Sequence, residues 1–182
     1  LSRAKAAGVK MVCVGTQAST SEAAIKLAQE YPQDIWATVG FHPNHLADQW
    51  HHDKKEQSDV APEVFNLERL AKLAEDPRVV AIGECGLDYY RIETSDKRLI
   101  TKQKEVFIRH VRLAQKLRKA LMMHNRPRLG YDDAYLEALD ILETENVTVP
   151  KINHFYVGSL EATKKLVAAG SYFTFGGVIT FA

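Results

Sequence analysis

The sequence has little of several features that mark special classes of protein. Its two cysteines among 182 residues lie far apart with no CxxC spacing, so no disulfide framework is expected and a reducing, cytoplasmic location is indicated. No apolar run approaches the roughly 18 residues that cross a membrane. The formal net charge is only +1, so any affinity for phosphate must come from a few placed residues. A GxGxxG fingerprint is missing, which leaves a Rossmann nucleotide-binding fold without support.

The length and the ends of the chain bear on its domain organisation. With 182 residues, 46% of them hydrophobic, the chain is large enough for one packed domain. It begins without an initiator methionine, in what resembles the last turns of a helix closed by Gly8, and it stops just after a predicted strand. We expect residues 1–182 to form a single domain that is an internal fragment of a longer chain.

Hydrophobic periodicity switches repeatedly between strand and helix. The predicted strands are Val9–Val14, Ile35–Val39, Val79–Ile82, Leu121–Met123, Val147–Ile152 and Tyr172–Phe175. The predicted helices between them are Ser19–Gln29, Pro62–Ala74, Leu99–Lys119, Asp132–Leu142 and Leu160–Ala168. A (β/α) barrel has eight such units in about 250 residues. We therefore predict an α/β fold, a partial TIM-type (β/α) barrel with about six of the eight units, its N-terminal and C-terminal units missing.

Three side chains able to bind metal follow short apolar runs of buried-strand length. Glu84 follows residues 79–83, His124 follows residues 120–123, and His154 follows residues 149–153. In alternating β/α folds such positions meet at the carboxyl edge of one parallel sheet, where chemistry takes place. One carboxylate and two imidazoles suit a divalent transition metal.

The residues around these positions resemble a known family. Ala81–Arg91 resembles the GE-x-GLD-Y segment of the TatD family of metal-dependent deoxyribonucleases. Further motifs agree in order: Gly40–Pro43 with G-x-H-P, Gln103 and Phe107 with Q-x-x-x-F, Met123–Arg126 with H-x-R, Asn153–Phe155 plus Gly158 and Ser159 with H-C-F-S-G-S, and Gly170–Thr180 with G-x-Y-x-S-x-x-G-x-x-T. The resemblance runs from about Val9 to Thr180.

The resemblance implies a TIM-type barrel with a two-metal site for Mg²⁺, Mn²⁺ or Zn²⁺. Glu84 would be the bridging carboxylate and catalytic residue, and His124 and His154 would bind the second ion. The family's D-x-H-x-H strand and its E-T-D-x-P segment are absent from this sequence, so the first metal position lacks three expected ligands. Asn44 stands where the family has a second histidine after G-x-H-P.

Four further residues are candidates for the same site. Arg126, two residues beyond His124, carries a planar fork suited to a phosphate, and Arg91 is a weaker candidate for that role. His42 before Pro43 either caps a turn or contacts phosphate or substrate. Asp88 is expected to fix the loop after Glu84 and support the ligands, not to transfer a proton.

Each candidate also has a purely structural interpretation. Glu84 alone could belong to a buried ion pair, and each histidine alone could be a hydrogen-bonded residue at the barrel rim; the set of three at successive strand ends favours ligands. The histidine-rich segment with His45, His51 and His52 is interpreted as a surface loop. The basic stretch 97–119 could bind nucleic acid, but an apolar stripe at helical spacing favours an outer barrel helix: Val106, Phe107, His110, Val111, Ala114 and Leu117.

The expected function is metal-dependent cleavage of phosphodiester bonds in DNA by metal-activated water, trimming ends. RNA or tRNA is an alternative substrate, and no membrane and no obligate protein partner are inferred. A second hypothesis is metal-dependent ester hydrolysis of D-aminoacyl-tRNA. A third is a catalytically incomplete fragment that acts as a binding or structural scaffold, because missing barrel units expose sheet edges. On its own, the 182-residue chain is expected to be inactive or markedly weakened.

Overall fold

The strands form one parallel sheet in which neighbours in sequence are neighbours in space. The structure, a computed structural model, describes residues 1–47, 63–90, 92 and 96–181. In these residues six strands pair in the order in which they occur along the chain, and every pair is parallel. Helices connect successive strands, as in a (β/α) barrel that has been left open. The predicted α/β class and partial TIM-type barrel are therefore confirmed.

The elements alternate along the chain, with two short 3-10 helices at Pro43–Leu46 and Gly177–Thr180. The strands are β1 Met11–Cys13, β2 Ile35–Val39, β3 Val79–Asp88, β4 Ala120–Arg126, β5 Lys151–Asn153 and β6 Ser171–Phe173. The helices are α1 Ser2–Ala6, α2 Ala18–Glu30, α3 Leu67–Leu73, α4 Lys97–Leu117, α5 Asp133–Thr144 and α6 Leu160–Ala168. Of the helices in the described ranges, none combines the length and the apolar character that crossing a bilayer requires.

Side-chain caps define where several helices begin. Asn66 accepts a hydrogen bond from the Arg69 amide at 2.9 Å, so α3 begins at Leu67 and not at Pro62 as predicted; Pro62 itself lies outside the described residues. Asp96 caps α4 in the same way. These caps satisfy amide groups that a helix leaves free at its start.

The main core lies between the sheet and the helices that cover it. The sheet contributes fully buried side chains such as Ile35, Ile82 and Leu121, and α4 contributes Phe107 and Val111. The stripe predicted for α4 is buried, apart from the partly exposed Leu117. The apolar face of α4 therefore packs on the barrel, and its charged residues remain for the outer surface.

Strands β3 and β4 extend further than the sequence indicated. In β3 the pairing with β4 shifts register between Ile82 and Cys85, and glycines with φ of +148° and +144° flank this step at positions 83 and 86. A side chain at either glycine would collide with the backbone of β4. Because only glycine adopts this conformation freely, the strand can bulge and continue. Glu84 and His124 consequently lie inside their strands; the prediction that they follow them was wrong in this detail.

His110 is a polar residue at the centre of the α4 core face. Its side chain is completely buried. Nε2 accepts a hydrogen bond from the Phe41 amide at 3.1 Å, and Nδ1 lies 2.8 Å from the Val106 carbonyl oxygen. The Phe41 amide can only donate, so the Nδ1 atom carries the single proton of a neutral ring. Burial lowers the pKa of His110 to about 4.

The buried imidazole makes stability depend on pH. Above its ordinary pKa of 6.5 the ring is neutral both folded and unfolded, whereas between 6.5 and about 4 only the unfolded chain takes up the proton. We expect His110 to remove about 3 kcal/mol of unfolding free energy across this interval. Urea unfolding of the natural chain and of His110→Gln from pH 7.5 to 4 measures it. Parallel pH profiles for the two proteins would contradict the assignment.

Candidate metal centre

Three side chains that can bind metal converge at the carboxyl edge of β2, β3 and β4. They are His42 from the turn after β2, Glu84 from β3 and His124 from β4, and one ligand atom from each lies within 4.8 Å of the others. In the part of the chain that the structure describes, this is the one such group of three. Neighbouring parallel strands bring the three together, since their carboxyl ends share an edge.

His124 stands between two carboxylates. Its Nδ1 atom lies 3.1 Å from Oε1 of Glu84, and its Nε2 atom lies 3.0 Å from Oδ2 of Asp88. The side chain of Asp88 is 2% exposed and that of Glu84 12% exposed, so water screens this contact weakly. Without a metal ion both ring nitrogens must donate, which makes His124 an imidazolium cation.

The charges in this group shift one another's pKa strongly. Burial favours the neutral form of His124, but the hydrogen bonds to Asp88 and Glu84 outweigh it and raise the pKa of His124 to about 9. Burial likewise opposes ionisation of Glu84, yet the hydrogen bond and positive charge of His124 bring the pKa of Glu84 down to about 2. Although burial acts in the opposite direction, the hydrogen bond between His124 and Asp88 lowers the pKa of Asp88. Without an ion, the carboxylates of Glu84 and Asp88 therefore both bond the His124 cation.

His42 has a place in this group that the sequence did not indicate. Its Nδ1 atom accepts the Asn44 amide at 3.2 Å, so it does cap the turn. Its ring also lies 4.2 Å from the ring of His124, centre to centre. Burial, with repulsion from His124, lowers the pKa of His42 to about 3, so its ring is neutral. Because Nδ1 accepts the Asn44 amide, the single proton of the neutral ring lies on Nε2, so binding an ion through Nε2 would require the proton to move to Nδ1 in place of that hydrogen bond. The sequence signal that could have indicated this place is its position just after the predicted strand Ile35–Val39.

His154 lies beside the group of three but outside it. It follows β5 directly, and its Nδ1 atom is 3.0 Å from the Thr174 hydroxyl oxygen. Its charge still acts on Glu84, and burial lowers the pKa of His154 itself. The structure thus brings Glu84 and His124 into contact and places His154 at the next strand along the same edge. Its role as a ligand stays a prediction.

The remaining candidates occupy the rim of the same edge. Arg126 ends β4, and its guanidinium carbon lies 3.8 Å from the ring centre of Tyr90. Asp88 ends β3 and accepts the Tyr90 amide at 3.1 Å. The stretch after Glu84 is part of β3 and not the predicted loop, so Asp88 contacts the turn that follows the strand, and it also bonds His124. Its role in supporting the ligands stays a prediction. Arg91 lies outside the described residues.

The chemistry of the donor set fits a divalent ion. Glu84 supplies carboxylate oxygens, and His42 and His124 supply imidazole nitrogens, the ligand types of zinc and manganese sites. An ion held by Glu84 and Nδ1 of His124 would replace the proton on that nitrogen. Asp88 would then keep the proton on Nε2, an arrangement that orients metal-bound histidines in many proteins.

Comparison with known proteins identifies related sequences. The family model described as TatD related DNase matches residues 1–182. A protein of Escherichia fergusonii named 3'-5' ssDNA/RNA exonuclease TatD is 34% identical over 174 residues, which cover 94% of this chain and 58% of that protein. A Bacillus subtilis protein named as the uncharacterized metal-dependent hydrolase YabD is 33% identical over 183 residues, covering all of this chain and 62% of that protein.

A solved structure gives the same result at the level of the fold. The crystal structure of YjjV, a TatD homolog from Escherichia coli K12, superposes with a TM-score of 0.73 at 27% identity, covering 99% of this chain and 61% of that chain. The chain spans about three-fifths of the length of the curated relatives it matches. The resemblance seen in the sequence is confirmed: this chain belongs to the TatD-related DNase family of metal-dependent hydrolases.

Proposed function

We propose that this chain supplies the metal-binding part of a nuclease active site that hydrolyses phosphodiester bonds in DNA, releasing nucleotides from an end. The observation that carries the proposal is the partly buried group of His42, Glu84 and His124 at the carboxyl edge of the sheet. Supporting it, the relative from E. fergusonii is named as a 3'-5' exonuclease of single-stranded DNA and RNA. RNA is therefore the second polymer to test.

The residues of the site have different roles in this proposal. When bound, a divalent ion lowers the pKa of a bound water toward neutrality and stabilises charge on phosphate oxygens. Glu84, ionised at all ordinary pH values, and the imidazoles of His42 and His124 hold the ion. Asp88 keeps His124 in the tautomer that binds through Nδ1. Arg126, at the exposed end of β4, orients the phosphate. We include His154 as a further ligand and His42 as a ligand in place of a substrate contact.

The test separates metal binding from cleavage. Calorimetric titration of the 182-residue chain with Mn²⁺ or Zn²⁺ asks whether the site binds an ion. Nucleotide release from single-stranded DNA and RNA, with D-aminoacyl-tRNA as a third substrate, is then measured on this chain and on the product of the complete reading frame. We expect metal-dependent release of nucleotides from DNA by the product of the complete reading frame, and little or none by the 182-residue chain alone. Folded protein that binds no ion, or that cleaves only the aminoacyl ester, contradicts the proposal.

Arg126 gives a prediction about substrate affinity. The guanidinium carbon of Arg126 lies 3.8 Å from the centre of the Tyr90 ring, a contact that restrains the side chain. Lysine keeps the charge but loses the paired donors that match a phosphate. We expect Arg126→Lys to raise KM for an oligonucleotide about tenfold, a loss of about 1.4 kcal/mol, with little change in kcat.

Variants of Tyr90 complete this experiment. Tyr90→Phe keeps the aromatic face and should leave KM unchanged, whereas Tyr90→Ala frees the guanidinium and should raise KM by a smaller factor than Arg126→Lys. Steady-state kinetics on a short single-stranded DNA gives both constants. A fall in kcat at constant KM for Arg126→Lys would argue against phosphate binding and for a part in the chemical step.

A further inference from the structure

Helix α4 carries two buried polar side chains on the face that it turns toward the barrel. Gln103 is 1% exposed and His110 is fully buried, and the two lie two helical turns apart. A polar side chain loses its bonds to water when it is buried, so its position is costly unless the protein replaces those bonds. Both side chains form hydrogen bonds with main-chain groups outside α4. Those groups belong to the end of β3 and to the turn around His42.

Gln103 binds the main chain of Asp88 from both sides. Its Oε1 atom accepts the Asp88 amide at 2.9 Å, and its Nε2 atom donates to the Asp88 carbonyl oxygen at 3.2 Å. The same Nε2 atom reaches the Pro43 carbonyl oxygen at 3.4 Å. One amide side chain thus ties the end of β3 to the turn that begins with His42.

His110 holds the same turn from the other side. The Phe41 amide, one residue before His42, donates to Nε2 of His110. The Val106 carbonyl fixes the ring through Nδ1, so the acceptor nitrogen points at the turn. Lys102 adds a third contact, from its ammonium group to the Leu46 carbonyl oxygen at 3.2 Å. Helix α4 therefore sets where His42 stands relative to Asp88, and Asp88 in turn holds the ring of His124.

We propose that Gln103 and His110 are positioning residues of the metal centre: they hold the His42 turn and the end of β3 at the separation at which His42, Glu84 and His124 can share one ion. This inference rests on the proposed function, because it assumes that the group binds metal. Neither residue belongs to that group; they act through Phe41, Pro43 and Asp88. Residues that support metal ligands in this indirect way commonly contribute ten- to hundredfold to metal affinity.

The test compares variants that lose hydrogen bonds at nearly constant volume with one variant that loses packing only. Gln103→Met and His110→Leu keep the volume and remove the bonds, whereas His110→Gln keeps an acceptor for the Phe41 amide. Val111→Ala, on the same helix and fully buried, removes packing only. Mn²⁺ affinity is measured by calorimetry on the 182-residue chain, and the imidazole signals of His42 and His124 are recorded by NMR without metal.

We expect Gln103→Met and His110→Leu to weaken Mn²⁺ binding about tenfold or more and to shift the imidazole signals. His110→Gln should bind within about threefold of the natural chain, and Val111→Ala should change neither readout beyond what its lower melting temperature explains. Equal affinities and unchanged signals in all four variants would overturn the proposal. If the natural chain itself binds no Mn²⁺, the proposed function fails, and the imidazole signals of the metal-free variants still decide between a positioning and a packing role.

Discussion

Replacing Glu84 by glutamine is expected to abolish metal-dependent cleavage almost completely, lowering kcat/KM by about three orders of magnitude, or about 4 kcal/mol. The amide has the size of the carboxylate but no charge, and only one of its two terminal atoms accepts hydrogen bonds or binds cations. The change also removes the charge that holds the proton on His124, so the pKa of that imidazole should fall. Loss of binding and loss of turnover should therefore appear together.

The measurement combines Mn²⁺ titration with nucleotide release from single-stranded DNA. Glu145→Gln is the matched control, because that carboxylate pairs with Arg112 at the C-terminal end of α5 and takes no part in the metal group. It should leave both readouts unchanged. A Glu84→Gln protein that is folded and retains more than about a tenth of the natural metal affinity would remove Glu84 from the ligand set.

Removing His124 should produce the largest loss of stability at the site, even without metal. In His124→Ala the partly buried carboxylate of Glu84 and the buried carboxylate of Asp88 lose the cation between them. Taking one partner from a buried ionic group costs about 3 kcal/mol or more, because the charges left behind are poorly hydrated. We expect this loss in unfolding free energy with a chelator present.

The pH dependence of that loss follows from the direction of each pKa shift. The lowered pKa values of Glu84 and Asp88 stabilise the fold above the ordinary carboxylate range near pH 4, and that stabilisation disappears as pH falls through their folded values. The raised pKa of His124 stabilises the fold below 6.5, and this is lost as pH rises through about 9. The difference between natural and variant chains should therefore be greatest near pH 5 to 6 and shrink toward pH 3.

Urea unfolding at pH 3, 5.5 and 9.5 tests this profile. His154→Ala is the control, since that imidazole contacts a threonine hydroxyl and not a pair of carboxylates. It should cost less than about 1 kcal/mol and show no maximum near pH 5.5. A His124→Ala penalty that stays constant over the whole pH range would mean that the residue contributes packing and not charge.

The architecture and part of the site followed from local sequence patterns. Alternating strand and helix periods led to a partial barrel, because each period reflects a face that must be buried. The approximate places of Glu84 and His124 followed from the rule that parallel strands share a carboxyl edge. The ends of β3 and β4 could not be predicted in this way. The bulge at Glu84 depends on how closely β4 approaches Gly83 and Gly86, and the sequence pattern carries no information on that distance.

Other parts of the site depend on contacts between distant elements. His42 was considered only as a turn cap or substrate contact, since its distance from His124 becomes visible only when β2, β3 and β4 lie side by side. His110 was counted within an apolar stripe, because the sequence pattern does not show whether a polar residue in such a stripe forms a specific buried hydrogen bond. The partner that decides its role, the Phe41 amide, belongs to another element. The prediction of a single domain cut from a longer chain stays a prediction.

The order of the strands has a consequence for how the protein folds. Because β2, β3 and β4 are consecutive in both sequence and space, residues 35–126 contain all three members of the metal group together with the helix that braces them. Each pairing step closes one loop of moderate length, and the entropy lost in closing a loop grows only slowly with its length. The three members of the metal group therefore come from the pairing of β2, β3 and β4, and none of them comes from β5 or β6.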